Sequence, residues 1–282
     1  MHQSAFIISA FDVRIPKIIY GTAWKGERTA GLVEHAVSLG FRGVDTACQP
    51  KHYHEAGVGE GLAASFKTGL ARSDIYLQTK FTPVNGQDPK RMPYDPKADL
   101  ALQVSQSFET SLLNLKTDYL DGLILHSPYS QEQQTMEVWR AMEAIFNHSG
   151  TRQLGISNCH SLEVLQSLYQ YAKVKPAILQ NRFYANTHYD REIREYCKQQ
   201  HILYQSFWIL SANPHILAHP TMMGLAVKYG RTPEQIFFHY LTEIGVIPLT
   251  GTTQQSHMVD DLAIFDFTLT ETECMAVASL LT

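Results

Sequence analysis

The chain reads as an α/β protein, a single-domain (β/α)8 TIM barrel. Three observations point there. Strand-like apolar runs alternate with helix-like segments along the whole sequence, the pattern of a parallel sheet with helical crossovers. Seven of those runs end in polar residues; in a parallel barrel all strand ends meet on one face, where catalytic groups are carried. The length, 282 residues, matches the roughly 250 that one such barrel needs.

Taken in order, Phe6-Ile7-Ile8 and Val13-Arg14-Ile15 suit a small β-hairpin across the amino-terminal end of the barrel. The first helix spans roughly Arg28 to Leu39, with Leu32, Val33, Ala36 and Val37 as its apolar stripe and Gly40 as its left-handed stop. Val44 then leads into Asp45, and Ile75 to Thr79 lead into Lys80. Phe81 to Pro96, rich in Pro, Gly, Asn and Asp, is a long loop on the strand-end face. Asp95 is expected to cap the next helix with Pro96 in its first position, and Leu100, Val104, Phe108, Leu112 and Leu115 line one side.

Leu123-Ile124-Leu125 ends at His126, and Leu154-Gly155-Ile156 at Ser157-Asn158. Ser161 can cap a helix carrying Leu162, Leu165, Leu168 and Tyr169. Ala177-Ile178-Leu179 ends at Gln180, and Ile202-Leu203-Tyr204 at Gln205-Ser206. A second long connection follows, Ser206 to Pro220. Thr232-Pro233-Glu234-Gln235 and Thr270-Glu271-Thr272-Glu273 are capping boxes that start two later helices, and Val246-Ile247-Pro248 between them leads to Thr250.

A net charge of −4 with scattered basic residues argues against a nucleic-acid surface. Four cysteines lack metal-ligand or paired spacing, so free thiols and no metal site are expected. The short apolar stretch from Ala5 to Phe11 has no basic residue before it, unlike a signal peptide, and no apolar run reaches the ~18 residues of a membrane span. The expectation is a cytoplasmic monomer acting on a small molecule, without nucleic-acid or membrane partners.

Gly40-Phe41-Arg42-Gly43-Val44-Asp45-Thr46-Ala47 and the later Tyr53-His54-Glu55-Ala56-Gly57-Val58-Gly59 resemble the aldo-keto reductase signature. Lys80, Leu125-His126-Ser127-Pro128, Gly155-Ile156-Ser157-Asn158, Gln180-Asn181 and Ile247-Pro248-Leu249-Thr250-Gly251-Thr252 follow in that family's order. The resemblance implies reduction of aldehydes or ketones with NADPH or NADH, bound without a Rossmann domain; no G-x-G-x-x-G follows a strand here. It implies Tyr53 as proton donor, Lys80 as the cation beside its oxygen, Asp45 as the partner of Lys80, and His126 as the donor that holds the carbonyl oxygen. A cation beside a phenol lowers its ordinary value of about 10 toward the working range of an acid.

For the cofactor the resemblance implies Ser157, Asn158 and Gln180 at the nicotinamide carboxamide, Phe207 as the stacking ring and Ser206 on the pyrophosphate side. Thr22, Asp45, Thr250, Thr252, His257 and Asp261 complete the cofactor set. Trp24, Phe81, Tyr129 and Trp208 join Tyr53 and His126 around the substrate. Members that prefer NADPH carry Lys after Ile-Pro and Arg further on; Leu249 and His257 stand there, so strict NADPH preference is not expected. The family pattern places four residues between Asp and Tyr, whereas seven separate Asp45 from Tyr53. A lone strand-end Asp is commonly a cap, and a lone His commonly structural; the set in order favours catalysis. The extra loop residues keep open a cofactor-binding subunit with little turnover, and a barrel enzyme using Lys80 as a Schiff base is the third reading. The sequence ends shortly after the last helix, which suggests an open pocket and broad specificity.

Overall fold

The computed structural model describes residues 5–281. The expected hairpin is present: β1 (Phe6–Ile8) pairs antiparallel with β2 (Arg14–Pro16), Ile7 opposite Ile15. Eight parallel strands follow and close into a barrel: β3 (Ile19–Gly21), β4 (Gly43–Asp45), β5 (Tyr76–Phe81), β6 (Gly122–Leu125), β7 (Leu154–Ser157), β8 (Ile178–Arg182), β9 (Leu203–Phe207) and β10 (Val246–Thr250), with β10 returning to β3.

Helices α1 (Thr29–Leu39), α2 (Glu55–Phe66), α3 (Leu100–Leu115), α4 (Glu132–Asn147), α5 (Leu162–Tyr171) and α6 (Arg191–Gln199) cover the outside of the first strands. After β9 come two single turns, α7 (Ile209–Ala212) and α8 (Pro214–Leu217), then α9 (Pro220–Tyr229) and α10 (Pro233–Glu243). Helices α11 (Gln255–Leu262) and α12 (Glu271–Ala278) finish the described chain.

Most local signals hold. Gly40 stops α1 at φ +124°, a conformation that costs a residue with a Cβ more than glycine. Ser161 accepts from the Val164 N–H, and Thr232 and Thr270 each form a full capping box. One cap is corrected: Asp99, not Asp95, caps α3, accepting from the Leu102 N–H at 2.8 Å. Asp95 instead receives the Lys97 N–H in a turn, because Pro96 holds its neighbour out of the helical region. The connection from Ser206 to Pro220 is likewise not one open loop, since β9 continues to Phe207 and α7 and α8 fill the rest.

The strands sort their side chains by parity. Outward residues such as Val44, Leu77, Leu125, Leu179 and Tyr204 join the shell of helices in one cluster. Inward Ile19, Tyr76, Ile124, Ile178, Ile247 and Leu249 pack with Val13 and Ile15 of the hairpin, which plugs the amino-terminal end. Above this apolar layer the inward residues turn polar: Gln78, Gln180 and Gln205 hydrogen-bond one another across the barrel, and Asp45 and Lys80 sit with them. The barrel thus has a greasy floor and a hydrogen-bonded upper layer on the strand-end side.

Candidate active site

Asp45 and Lys80 converge as expected. Nζ of Lys80 donates to Asp45 Oδ1 at 2.7 Å and Oδ2 at 2.6 Å, and to the Thr46 carbonyl at 2.9 Å. Both side chains are almost fully buried. Asp45 Oδ1 also accepts from Gln78 at 2.7 Å and Gln180 at 2.9 Å, so every partner of this carboxylate is a donor. Burial pulls the Lys80 ammonium below the ordinary lysine range, opposed by Asp45 and Glu55.

The additional residues before Tyr53 are absorbed in a closed turn. Thr46 N–H and Cys48 N–H continue the ladder with β5, donating to the Gln78 and Lys80 carbonyls. The chain then folds back at Gln49, whose carbonyl accepts from the His52 and Tyr53 N–H groups. Gln49 and Gln87 side chains tie this turn to the loop after β5. Glu55, buried at the start of α2, accepts from Thr79, Ser111 and Asn114, which anchors the helix two residues beyond Tyr53.

Tyr53 is thereby returned to the mouth. Its ring centroid lies 5.3 Å from Lys80 Nζ, and its ring meets that of His126 edge-on at 6.0 Å. The electrostatics differ from a simple cation-assisted acid. Burial first, and then the Asp45 carboxylate, push the Tyr53 phenol above its usual value. The Lys80 charge is turned toward Asp45 and lies beside the ring face. His126 is driven down to about 3 by burial, Lys80 and His52, so its imidazole is neutral at ordinary pH. Its Nδ1 lies 2.6 Å from the Thr82 hydroxyl.

Strand parity decides the remaining expected residues. Ser157 and Gln180 are inward, and Asn158 follows at φ +52° with Nδ2 donating to the His126 carbonyl at 2.8 Å. Ser157 gives its hydroxyl to the Gln180 carbonyl at 2.6 Å. Gln180 spends its amide hydrogens on Asp45 and Gln205. Among the described residues nothing donates to Oε1 of Gln180 or Oδ1 of Asn158, and both would fit a carboxamide NH2, as the nicotinamide would present. Phe207 is inward and half-buried against the apolar floor.

Four expected site residues sit in the opposite phase, because side chains alternate along a strand. Phe81, next to inward Lys80, is a correction: it is buried in the outer core against Tyr94, centroids 5.6 Å apart, and does not face the pocket. Ser206 is fully buried and donates to the Asn181 carbonyl, and Thr22 is fully buried and donates to the Asp45 carbonyl. Thr250 turns to α11 and donates to Asp261 at 2.6 Å; burial raises that carboxyl to about 6. Among the aromatics, Trp24 is 66% exposed and lies against His52 with ring centroids 3.8 Å apart at a 35° tilt, and Trp208 is 50% exposed. Tyr129 is half-buried beside the main core, its hydroxyl sealed without a partner.

A groove of about 510 Å3 opens beside the mouth, between the ends of β9 and β10. Thr252, His257, Asp261, Thr250 and Trp208 line it, together with Glu234 and Asp260. No Lys or Arg lines it. Two relevant cations were not singled out from the sequence. Lys25 is buried, donates to the Gly251 carbonyl at 2.8 Å at the groove edge, and is lowered to about 8 by burial and Arg28. Arg182 projects inward two residues beyond Gln180; that spacing was the signal for it, as it was for Gln205 two residues before Phe207.

A parallel barrel that carries a buried lysine–aspartate pair, a phenol and a neutral imidazole at its carboxyl mouth is the framework of a barrel oxidoreductase. The family model of the aldo/keto reductase family matches residues 17–207, and the chain belongs to that family. It is an enzyme of NAD(P)-dependent oxidoreductase type. It is 30% identical over 269 residues to an aldo-keto reductase of Mycobacterium sp. (strain JLS), covering 94% of this chain and 89% of the relative. It is 28% identical over 255 residues to glyoxal reductase of Bacillus subtilis (strain 168), covering 90% and 84%. Among solved structures, an aldo/keto reductase from Brucella melitensis superposes with a TM-score of 0.82 at 26% identity, covering 98% of both chains. Among the described residues no helix is long and apolar enough to cross a membrane, and no cluster of ligating side chains suits a metal ion.

Proposed function

We propose that the protein reduces aldehydes or ketones to alcohols, with Tyr53 as the general acid. The observation that carries this reading is the meeting of Tyr53, His126 and the Asp45–Lys80 pair at one barrel mouth, despite the longer loop before Tyr53. A bound nicotinamide supplies the hydride. Gln180 Oε1 and Asn158 Oδ1 orient its carboxamide, and Phe207 packs against its ring. His126, neutral, donates from Nε2 to the carbonyl oxygen and holds it at the phenol. Tyr53 then gives its proton to that oxygen. A phenol held above its usual value is a weaker acid than an ordinary tyrosine, yet it still protonates the far more basic alkoxide oxygen. Lys80 and Asp45 keep the polar layer rigid beneath the ring, so little reorganisation accompanies charge development.

The groove supports acceptance of NADH. A 2′-phosphate dianion would meet Glu234, Asp260 and Asp261 without a lining cation, whereas a 2′-hydroxyl can donate to a carboxylate. Fluorescence titration with NADH and NADPH, followed by turnover of a reactive aromatic aldehyde, tests the whole reading. Tyr53→Phe is expected to lower kcat by ~10²-fold or more while leaving cofactor binding intact. A variant within fivefold of wild type would move the acid elsewhere. A kcat/KM preference for NADPH above ~100-fold would contradict the groove argument. Tight cofactor binding with no consumption on any aldehyde would favour the binding-subunit reading instead.

A further inference from the structure

Among the described residues Arg182 has no hydrogen-bond acceptor. It closes β8, paired in register with Phe207, and shares the inward phase of Ile178 and Gln180. Its guanidinium carbon stands 3.8 Å from the centroid of the Trp208 ring and 5.2 Å from that of Tyr184. Nε is sealed from solvent with no hydrogen-bond partner. Among the described residues no carboxylate lies within ion-pair distance of it, although the chain has more acidic than basic residues. Two aromatic faces hold the planar group in place while leaving its N–H edge uncommitted. Trp208 is itself held at φ +59°, a conformation costly for a large side chain.

Position says what such a group faces. On one side lie Gln180 and Phe207, the nicotinamide end of the proposed cofactor path. On the other, Trp208 forms the wall of the groove that holds Thr252 and His257. A dinucleotide spanning the two would carry its pyrophosphate between them, beside Trp208 and the Arg182 packed on it. Lys25, the other nearby cation, is already engaged by the Gly251 carbonyl. We infer that Arg182, pinned between Trp208 and Tyr184, is an oxyanion-binding residue of the mouth and takes the dinucleotide pyrophosphate. The same fork chemistry would also accept a substrate carboxylate, and the test below separates the two sources.

This inference rests on the reductase reading. The experiment uses the full chain as wild type, Arg182→Met and Arg182→Lys. NADH and NADPH binding is measured by quenching of tryptophan fluorescence, and kcat/KM is compared for 4-carboxybenzaldehyde and benzaldehyde at saturating cofactor. Arg182→Met is expected to weaken both cofactors about tenfold, with Arg182→Lys in between and the ratio of the two aldehydes unchanged. Loss confined to 4-carboxybenzaldehyde, with unaltered cofactor affinity, assigns the group to substrate and overturns the pyrophosphate assignment. Unchanged cofactor affinity and an unchanged aldehyde ratio overturn the oxyanion role altogether. Unchanged near-ultraviolet circular dichroism separates lost binding from lost fold, and binding of neither cofactor by the wild type sinks the reductase reading itself.

Discussion

Replacing Asp45 by Asn tests the electrostatics of the barrel mouth most directly. The asparagine oxygen can keep the Oδ1 place, which accepts from Gln78, Gln180 and Lys80. Its NH2 must then occupy the place of Oδ2, 2.6 Å from the ammonium of Lys80. Two donors face each other, and the relief available is loss of the Lys80 proton, toward which burial already pulls. An unfolded lysine titrates near 10.4, and each pH unit is worth about 1.4 kcal/mol, so a neutral Lys80 at pH 7 costs at most ~4.6 kcal/mol relative to wild type, whose own folded value already lies below the ordinary range. That agrees with the ~3–5 kcal/mol typical of breaking a buried pair from one side. The sign follows from the folded value being the lower one: the penalty is complete at low pH and fades as pH climbs toward 10.4, leaving ~1.9 kcal/mol at pH 9. Urea unfolding followed by tryptophan fluorescence at pH 7 and pH 9 measures both numbers. A loss under ~1 kcal/mol at pH 7, or a gap between variant and wild type that does not narrow at pH 9, would refute this account of the pair.

The rate of carbonyl reduction should show no inflection near pH 6.5, because His126 stays neutral down to about 3; a profile of kcat/KM from pH 5 to 8 checks it. Thr82→Val should lower kcat several-fold by freeing His126 Nδ1 to carry the proton that Nε2 needs, with Thr82→Ser restoring it; imidazole 15N shifts report the tautomer directly. Gly59→Ala should destabilise by ~3 kcal/mol or more, because the added carbon runs into the backbone of α3, 2.9 Å from Leu115 Cα. A thermal melt within ~2 °C of wild type would show that α2 and α3 can separate after all.

Sequence patterning was sufficient for the alternation of strands and helices, the plugging hairpin and most caps, because these depend on neighbours a few residues apart. The positions of Asp45, Lys80, His126 and Ser157 at or beside strand ends were legible for the same reason, whereas β8 runs two residues past Gln180 to Arg182. Parity within the strands was also written there but harder to read. Lys80 being inward forces Phe81 outward, and Gln180 being inward forces Arg182 inward, yet aromatic and charged residues at strand ends suggest a pocket whichever way they point.

What lay beyond the sequence were relations across the barrel. Whether a loop with seven residues after Asp45 returns Tyr53 to Lys80 depends on hydrogen bonds that Gln49 and Gln87 make with chain from a different strand. Whether the phenol is made more or less acidic depends on how deeply it is buried and which way the ammonium is turned. Chain order places the charged groups at the mouth. Their titration is set by the balance of desolvation against partner charges, and that balance exists only once the barrel has closed around them.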